Sequence, residues 1–229
     1  MLALALAVVL GSPAPAGAAL PPLAIVEPSA ADREAGILDR TVAASDTGEF
    51  DVVTGSTPAP GPGEVRTVRV EVERGLPVDR DRFASFVLAT LNDDRGWGHG
   101  GTLAFARTDG DAPLVVVLAS PDTSAQLCRP LETNGTQSCR IESRAILTFH
   151  RWVNGSDDYA GNTTGYRQYV VNHEVGHVLG HGHERCPGPG RPAPVMQQQT
   201  MGLQGCVPNP WPHPDPLRPS GEHGVESDR

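Results

Sequence analysis

Residues 173–183 read His-Glu-Val-Gly-His-Val-Leu-Gly-His-Gly-His, and four of the chain's eight histidines fall in this window. The pattern is H-E-x-x-H-x-x-G-x-x-H, which sets metal ligands and a proton acceptor on one helix face. At 3.6 residues per turn, His173 and His177 lie one turn apart and can reach one metal from a rigid support. Glu174, one position round the helix, is too strained to join them as a ligand but is placed to take a proton from water. Gly180 permits positive φ, so the chain can leave the helix and bring His183 back as a third ligand. His181, one turn past His177, is the rival ligand if the helix runs on; Gly180 and Gly182 favour His183. Three imidazoles suit Zn2+ and leave a fourth position open, the mark of a catalytic rather than a structural zinc. Zinc brings the pKa of its water toward about 7, and Glu174 as general base completes the activation.

The elements that must position this window can be read from periodicity. Thr163–Leu179 is predicted as the helix that carries it, with Tyr166, Val170 and Val171 as its apolar approach. Glu64–Glu73 alternates around Val65, Val68, Val70 and Val72 and reads as a strand. Asp79 or Asp81 can cap a helix running to about Asp93, with Phe83, Phe86, Val87 and Leu91 on one face. Thr102–Arg107, Leu114–Ala119 and Ala145–Val153 read as further strands, the second apolar enough to be buried on both sides. His150, Trp152 and Tyr159 could line a cleft, although packing is the commoner use of such residues.

The 229 residues fit one domain with tails. The apolar run Met1–Leu10 is too short to span a membrane, which takes about 20 residues. With Ala16-Gly17-Ala18 behind it, 1–18 reads as a secretory signal peptide or a clipped anchor. Residues 19–47 read as a linker or pro-segment, 48–212 as the catalytic domain, and 213–229 as a disordered polar tail. The expected location is therefore secreted or cell-wall associated, with no stable membrane insertion after processing. Every basic residue is arginine, and the net charge of −9 argues against nucleic acid as a partner. Four cysteines in an exported chain imply two disulfides, with three possible pairings. Cys128–Cys139 with Cys186–Cys206 is favoured, and closing the second loop of about 20 residues should stabilise by roughly 3 kcal/mol.

With these residues in hand, the chain resembles the metzincin zinc metallopeptidases. Their second mark is a methionine turn beneath the metal. Met196, after Pro194 and before Gln197-Gln198, is the preferred candidate, and Met201 is the second. Several metzincins carry a tyrosine two residues after that methionine; this chain has Gln198. Glu184, directly after His183, is like the astacin branch without assigning it. A closer resemblance, over about 48–212, is to an uncharacterised secreted domain family of actinomycetes. It rests on Asn172–His177 (Asn-His-Glu-Val-Gly-His), Pro194–Thr200 (Pro-Val-Met-Gln-Gln-Gln-Thr) and Val207–Trp211 (Val-Pro-Asn-Pro-Trp). The metzincin resemblance implies an α+β fold with a mixed sheet, two main helices and a loop-rich, disulfide-braced C-terminal part. It also implies a monomeric zinc endopeptidase acting on a peptide or protein substrate. A zinc hydrolase cutting cell-wall peptide amides, or a non-catalytic zinc-binding wall module, would use the same ligands. Metzincin zymogens are often silenced by a side chain on the metal; Asp32, Asp39, Asp46 and Asp51 are the carboxylates that could serve here.

Overall fold

The computed structural model describes residues 27–214. Within them the chain is α+β, built on a six-stranded mixed sheet. Strand β2 (Glu64–Glu73) is its spine. Val68, Val70 and Val72 are buried at alternate positions, the period-2 signature that the sequence displays. One edge of β2 is shared: β3 (Leu103–Arg107) pairs in parallel with its first half, and β1 (Phe50–Val52) pairs antiparallel with its end. On the other edge come β4 (Leu114–Ala119) and β6 (Arg144–Thr148), both parallel. The sheet closes with β5 (Cys139–Ile141), antiparallel to β6 and at the margin.

Two long helices cover one face. Helix α2 (Arg80–Leu91) starts at Asp79, whose carboxylate accepts from the Arg82 amide at 3.0 Å. This is the first of the two caps the sequence allows. Phe83, Phe86, Val87 and Leu91 are buried along it. Helix α5 (Thr163–Val178) is the predicted site helix, capped by Asn162. Together they bury Val68, Val70, Val72, Val116, Leu118, Ala145 and Leu147 of the sheet in one core. The opposite face holds a smaller cluster of Val117, Ile146, Cys128 and Cys139. Nearby lies α3 (Pro121–Leu127), a short helix begun by proline at its first position.

One expectation is revised. Ala145–Val153 is not one strand: β6 ends at Thr148 and α4 (Phe149–Asn154) follows at once. Phe149, Trp152 and Val153 are buried at helical spacing, so the apolar run belongs to two elements. Trp152 packs edge-on against Phe83 and Phe86 and donates to the Ala35 carbonyl at 3.0 Å, while Tyr159 is buried, so both serve packing rather than a cleft wall.

Residues 19–47 are the stretch expected as linker or pro-segment. Its described part, 27–47, is bound into the domain. Ile37 is fully buried in the main core. Helix α1 (Ala30–Glu34) opens with a Ser29/Asp32 capping box. Asp32 is buried and accepts from Arg167 Nη2 of α5 at 2.5 Å and from Arg40 Nη1 at 2.7 Å. The expected signal peptide, and all of the expected tail but residues 213 and 214, lie outside the described residues.

Candidate metal centre

Helix α5 carries His173, Glu174 and His177 on a support packed against β4, β5, β6 and α2. It stops in a Schellman motif. Gly180 has φ +98°, its amide bonds the His177 carbonyl at 3.1 Å, and the His181 amide bonds the Gly176 carbonyl at 2.9 Å. The reversal returns His183 to the helix. The ligand nitrogens of His173, His177 and His183 all lie within 4.8 Å of one another, and His177 Nε2 is 3.1 Å from His183 Nε2. His181 is not part of this group. Its ring stacks on Trp97 with centroids 4.3 Å apart, and its carbonyl faces His177 Nδ1 at 2.8 Å.

The donor set fits a metal ion. His173 Nδ1 lies 2.8 Å from the Val195 carbonyl and His177 Nδ1 2.8 Å from that of His181. Each carbonyl fixes an Nδ1–H tautomer and leaves Nε2 with its lone pair toward the shared point. Burial pulls the His173 pKa down to about 3 and lowers those of His177 and His183, so all three are neutral near pH 7. No carboxylate or thiolate among the described residues joins the cluster.

Glu174 is buried beside the ligands, with no ion-pair partner among the described residues. Burial pushes its pKa up to about 8, and the Arg140 charge pulls the other way. The signs set a pH window for the metal-free protein. The unfolded chain ionises Glu174 above its ordinary value of 4.5, so burying it costs stability progressively up to about 8. The unfolded chain protonates His173 below 6.5, so stability also falls as pH drops from there toward 3. The two slopes oppose one another between 4.5 and 6.5. Without metal, Glu174→Gln is expected to be more stable than wild type at pH 8 by more than about 1 kcal/mol, one pKa unit being worth about 1.4. The difference shrinks toward pH 4.5, as urea unfolding at each pH would register.

Below the ligands lies the turn of Pro194–Gln197, closed by the Gln197 amide on the Pro194 carbonyl at 2.9 Å. Met196 is fully buried there, whereas Met201 is 65% exposed, so Met196 is the residue beneath the site. Gly176 explains the close fit. A Cβ there would stand 2.5 Å from Met196 Sδ and 2.6 Å from Trp97 Cζ2. Gly176→Ala is expected to destabilise by about 1–3 kcal/mol through overpacking, read as a lower urea midpoint. The Met196 carbonyl accepts from the Glu184 amide at 3.0 Å, which ties the His183 segment to the turn.

The run after Met196 is a hydrogen-bonding hub. Tyr169 donates to the Gln197 carbonyl and accepts from the Gln199 amide, each at 2.9 Å. Tyr159 donates to Gln199 Oε1, and Tyr166 pairs with Thr200, also at 2.9 Å. Burial raises all three hydroxyl pKa values, so they remain protonated. Gln199 Nε2 donates to the Asn209 carbonyl at 2.7 Å, and Asn172 Nδ2 donates to the Pro210 carbonyl at 3.0 Å. Asn172–His177, Pro194–Thr200 and Val207–Trp211, far apart in sequence, are thus one bonded unit supporting the histidines. Tyr166 and Tyr169 share a face of α5 with His173 at helical spacing, but nothing in the sequence marks their hydroxyls as partners of the Gln197–Thr200 run.

Both disulfides follow the favoured pairing, Cys128–Cys139 and Cys186–Cys206, and no described cysteine is free. The second encloses Met196. The first ends beside Arg140, on the wall of a cleft of about 440 Å³ that opens over the histidines. This cleft is also lined by Leu131, Glu132, Gln198 and Met201. None of Asp32, Asp39, Asp46 and Asp51 lines it. Asp32 is held by Arg167, Asp51 by Arg74 and Arg80, and Asp39 accepts from the Thr41 amide.

No helix among the described residues is long and apolar enough to cross a membrane. Neither the curated proteins nor the solved structures yield a match to the chain. The family model described as protein of unknown function, DUF3152, matches residues 39–207, from ahead of β1 to just past Cys206. That span takes in the whole sheet, both disulfides, the three histidines and the Pro194–Gln197 turn, and the chain is accordingly a member of the DUF3152 family.

Proposed function

We propose that the protein is a secreted, zinc-dependent endopeptidase of metzincin type in which Glu174 is the general base. The observation that carries this reading is the convergence of three neutral imidazoles, two with their Nδ1 pinned by carbonyls, beside a buried carboxylate that has no ion-pair partner. His173, His177 and His183 would hold the ion. A zinc ion so held supplies a Lewis acid and a water of lowered pKa.

The remaining steps belong to the chain. Glu174 takes a proton from the attacking water and delivers it to the departing amine. A buried carboxylate without an ion-pair partner among the described residues has no competing cation to hold it away from the proton it must take up and return. The marginal strand β5 borders the cleft and can pair with an extended substrate backbone. Leu131 and Met201 are exposed large hydrophobic side chains that line this cleft, as suits peptide side chains better than a sugar. Gln198, two residues after Met196, lines the cleft; several metzincins carry a tyrosine at that sequence position, so an amide would stand here for a hydroxyl. The order β2, α2, β3, β4, β6 and then α5, with the short helices α3 and α4 between, is what supports the metzincin reading at the level of the fold. Two disulfides suit an oxidising, extracellular setting.

The test is digestion of a capped peptide pool by zinc-loaded protein, with new amino termini detected by mass spectrometry. Cleavage that stops on chelation and returns with zinc is the expected result. A zinc-loaded protein that releases no new termini overturns the endopeptidase reading.

A further inference from the structure

Arg140 sits on β5, one residue after the disulfide-bonded Cys139 and opposite Ala145 of β6. Its backbone is therefore fixed from two sides. Its side chain is exposed, lines the cleft over the three histidines, and makes no salt bridge among the described residues. The acidic side chains on the cleft wall are the buried Glu174 and the exposed Glu132. Glu132 is shared with the neighbouring hollow beside α3. The chain as a whole carries a net charge of −9, so a free guanidinium at this mouth is a local exception to a field that repels anions.

A guanidinium presents a planar fork that matches a carboxylate with two parallel N–H···O bonds. On a rigid strand it loses little on binding beyond its own side-chain freedom. Resting on the peptidase reading above, we propose that Arg140 is the specificity residue of the cleft and takes a carboxylate of the substrate. That carboxylate comes from an Asp or Glu side chain near the scissile bond or from the substrate's own C-terminus.

Binding and cleavage test this separately. Capped hexapeptide pools with one fixed Asp, Asn or Lys are offered to zinc-loaded Glu174→Gln protein, which leaves them intact. The Asp pool is expected to be retained about tenfold over the Lys pool, and Arg140→Glu is expected to invert that order. Pools with free C-termini, compared with amidated ones, distinguish a terminal from a side-chain carboxylate. In turnover by protein with Glu174 intact, the readout is the ratio of kcat/KM for Asp over Lys peptides. If Arg140 acted only on the charge of Glu174, both values would fall together and the ratio would stay fixed, which overturns the assignment. Equal retention of all pools overturns it too. Charge-ordered binding without cleavage sinks the peptidase reading and keeps Arg140; cleavage without charge order does the reverse.

Discussion

Glu174→Gln is expected to lower peptide hydrolysis by a factor on the order of 10²–10⁴, the usual share of a positioned general base. The variant should keep its metal and its fold. Gln is isosteric with Glu and can sit in the same buried space. Glu174 is not among the converging ligands, so the three imidazoles should bind as before. What is lost is the ability to accept a proton and return it. The loss should appear in kcat rather than KM, because substrate contacts on β5 and the cleft rim are untouched. The metal-free variant should also be the more stable protein at pH 8, since the wild-type carboxyl is buried against its preference to ionise. Gain of stability with loss of turnover is what a residue held in place for chemistry gives. Activity equal to wild type with zinc in place would remove Glu174 from the mechanism.

Arg167→Ala is expected to destabilise the domain by about 3–5 kcal/mol, because it breaks a fully buried ion pair and leaves Asp32 with the partly exposed Arg40 as its one cation. Arg167 is fully buried on α5; besides Asp32 its guanidinium donates to the Trp152 carbonyl at 2.7 Å and the Ala31 carbonyl at 3.1 Å. One side chain therefore joins α1, α4 and the site helix. Arg40 and Ser29 still reach Asp32, but they cannot satisfy the two carbonyls. The paired, hydrogen-bonded Asp32 is held well below the usual carboxylate range despite its burial. Its folded pKa is depressed, so its contribution is present above the ordinary value near 4 and is lost as pH falls below that value. Differential scanning calorimetry at pH 7 should show a fall in Tm of roughly 10 °C for Arg167→Ala. Double replacement of Asp32 and Arg167 by apolar residues should recover part of the loss, since no fully buried charge then remains and the partly exposed Arg40 can turn to solvent.

The sequence carried the site further than it carried the frame. Helical spacing gave His173, Glu174 and His177, and Gly180 chose His183, because one local rule governs each. Glu64–Glu73 and Leu114–Ala119 match the observed strands to the residue, since Val alternation and a continuous apolar run each have one structural solution. Ala145–Val153 failed because an apolar run does not mark where β6 turns into α4. The three-residue strands β1 and β5 are too short for a period to show. Residues 30–37 read as a linker because their partners are remote in sequence: Asp32 pairs with Arg167 of α5, and Ile37 bridges to Val78. Likewise, Gln199 gains meaning only from Tyr159 and Asn209, which the fold brings to it.

The central claim is that His173, His177 and His183 together hold one zinc ion. Native mass spectrometry of protein dialysed against zinc measures it directly. One zinc is expected per wild-type chain and per His181→Ala chain, and none in His177→Ala or His183→Ala. No zinc in the wild type, or zinc retained after loss of His183 but not of His181, would contradict it.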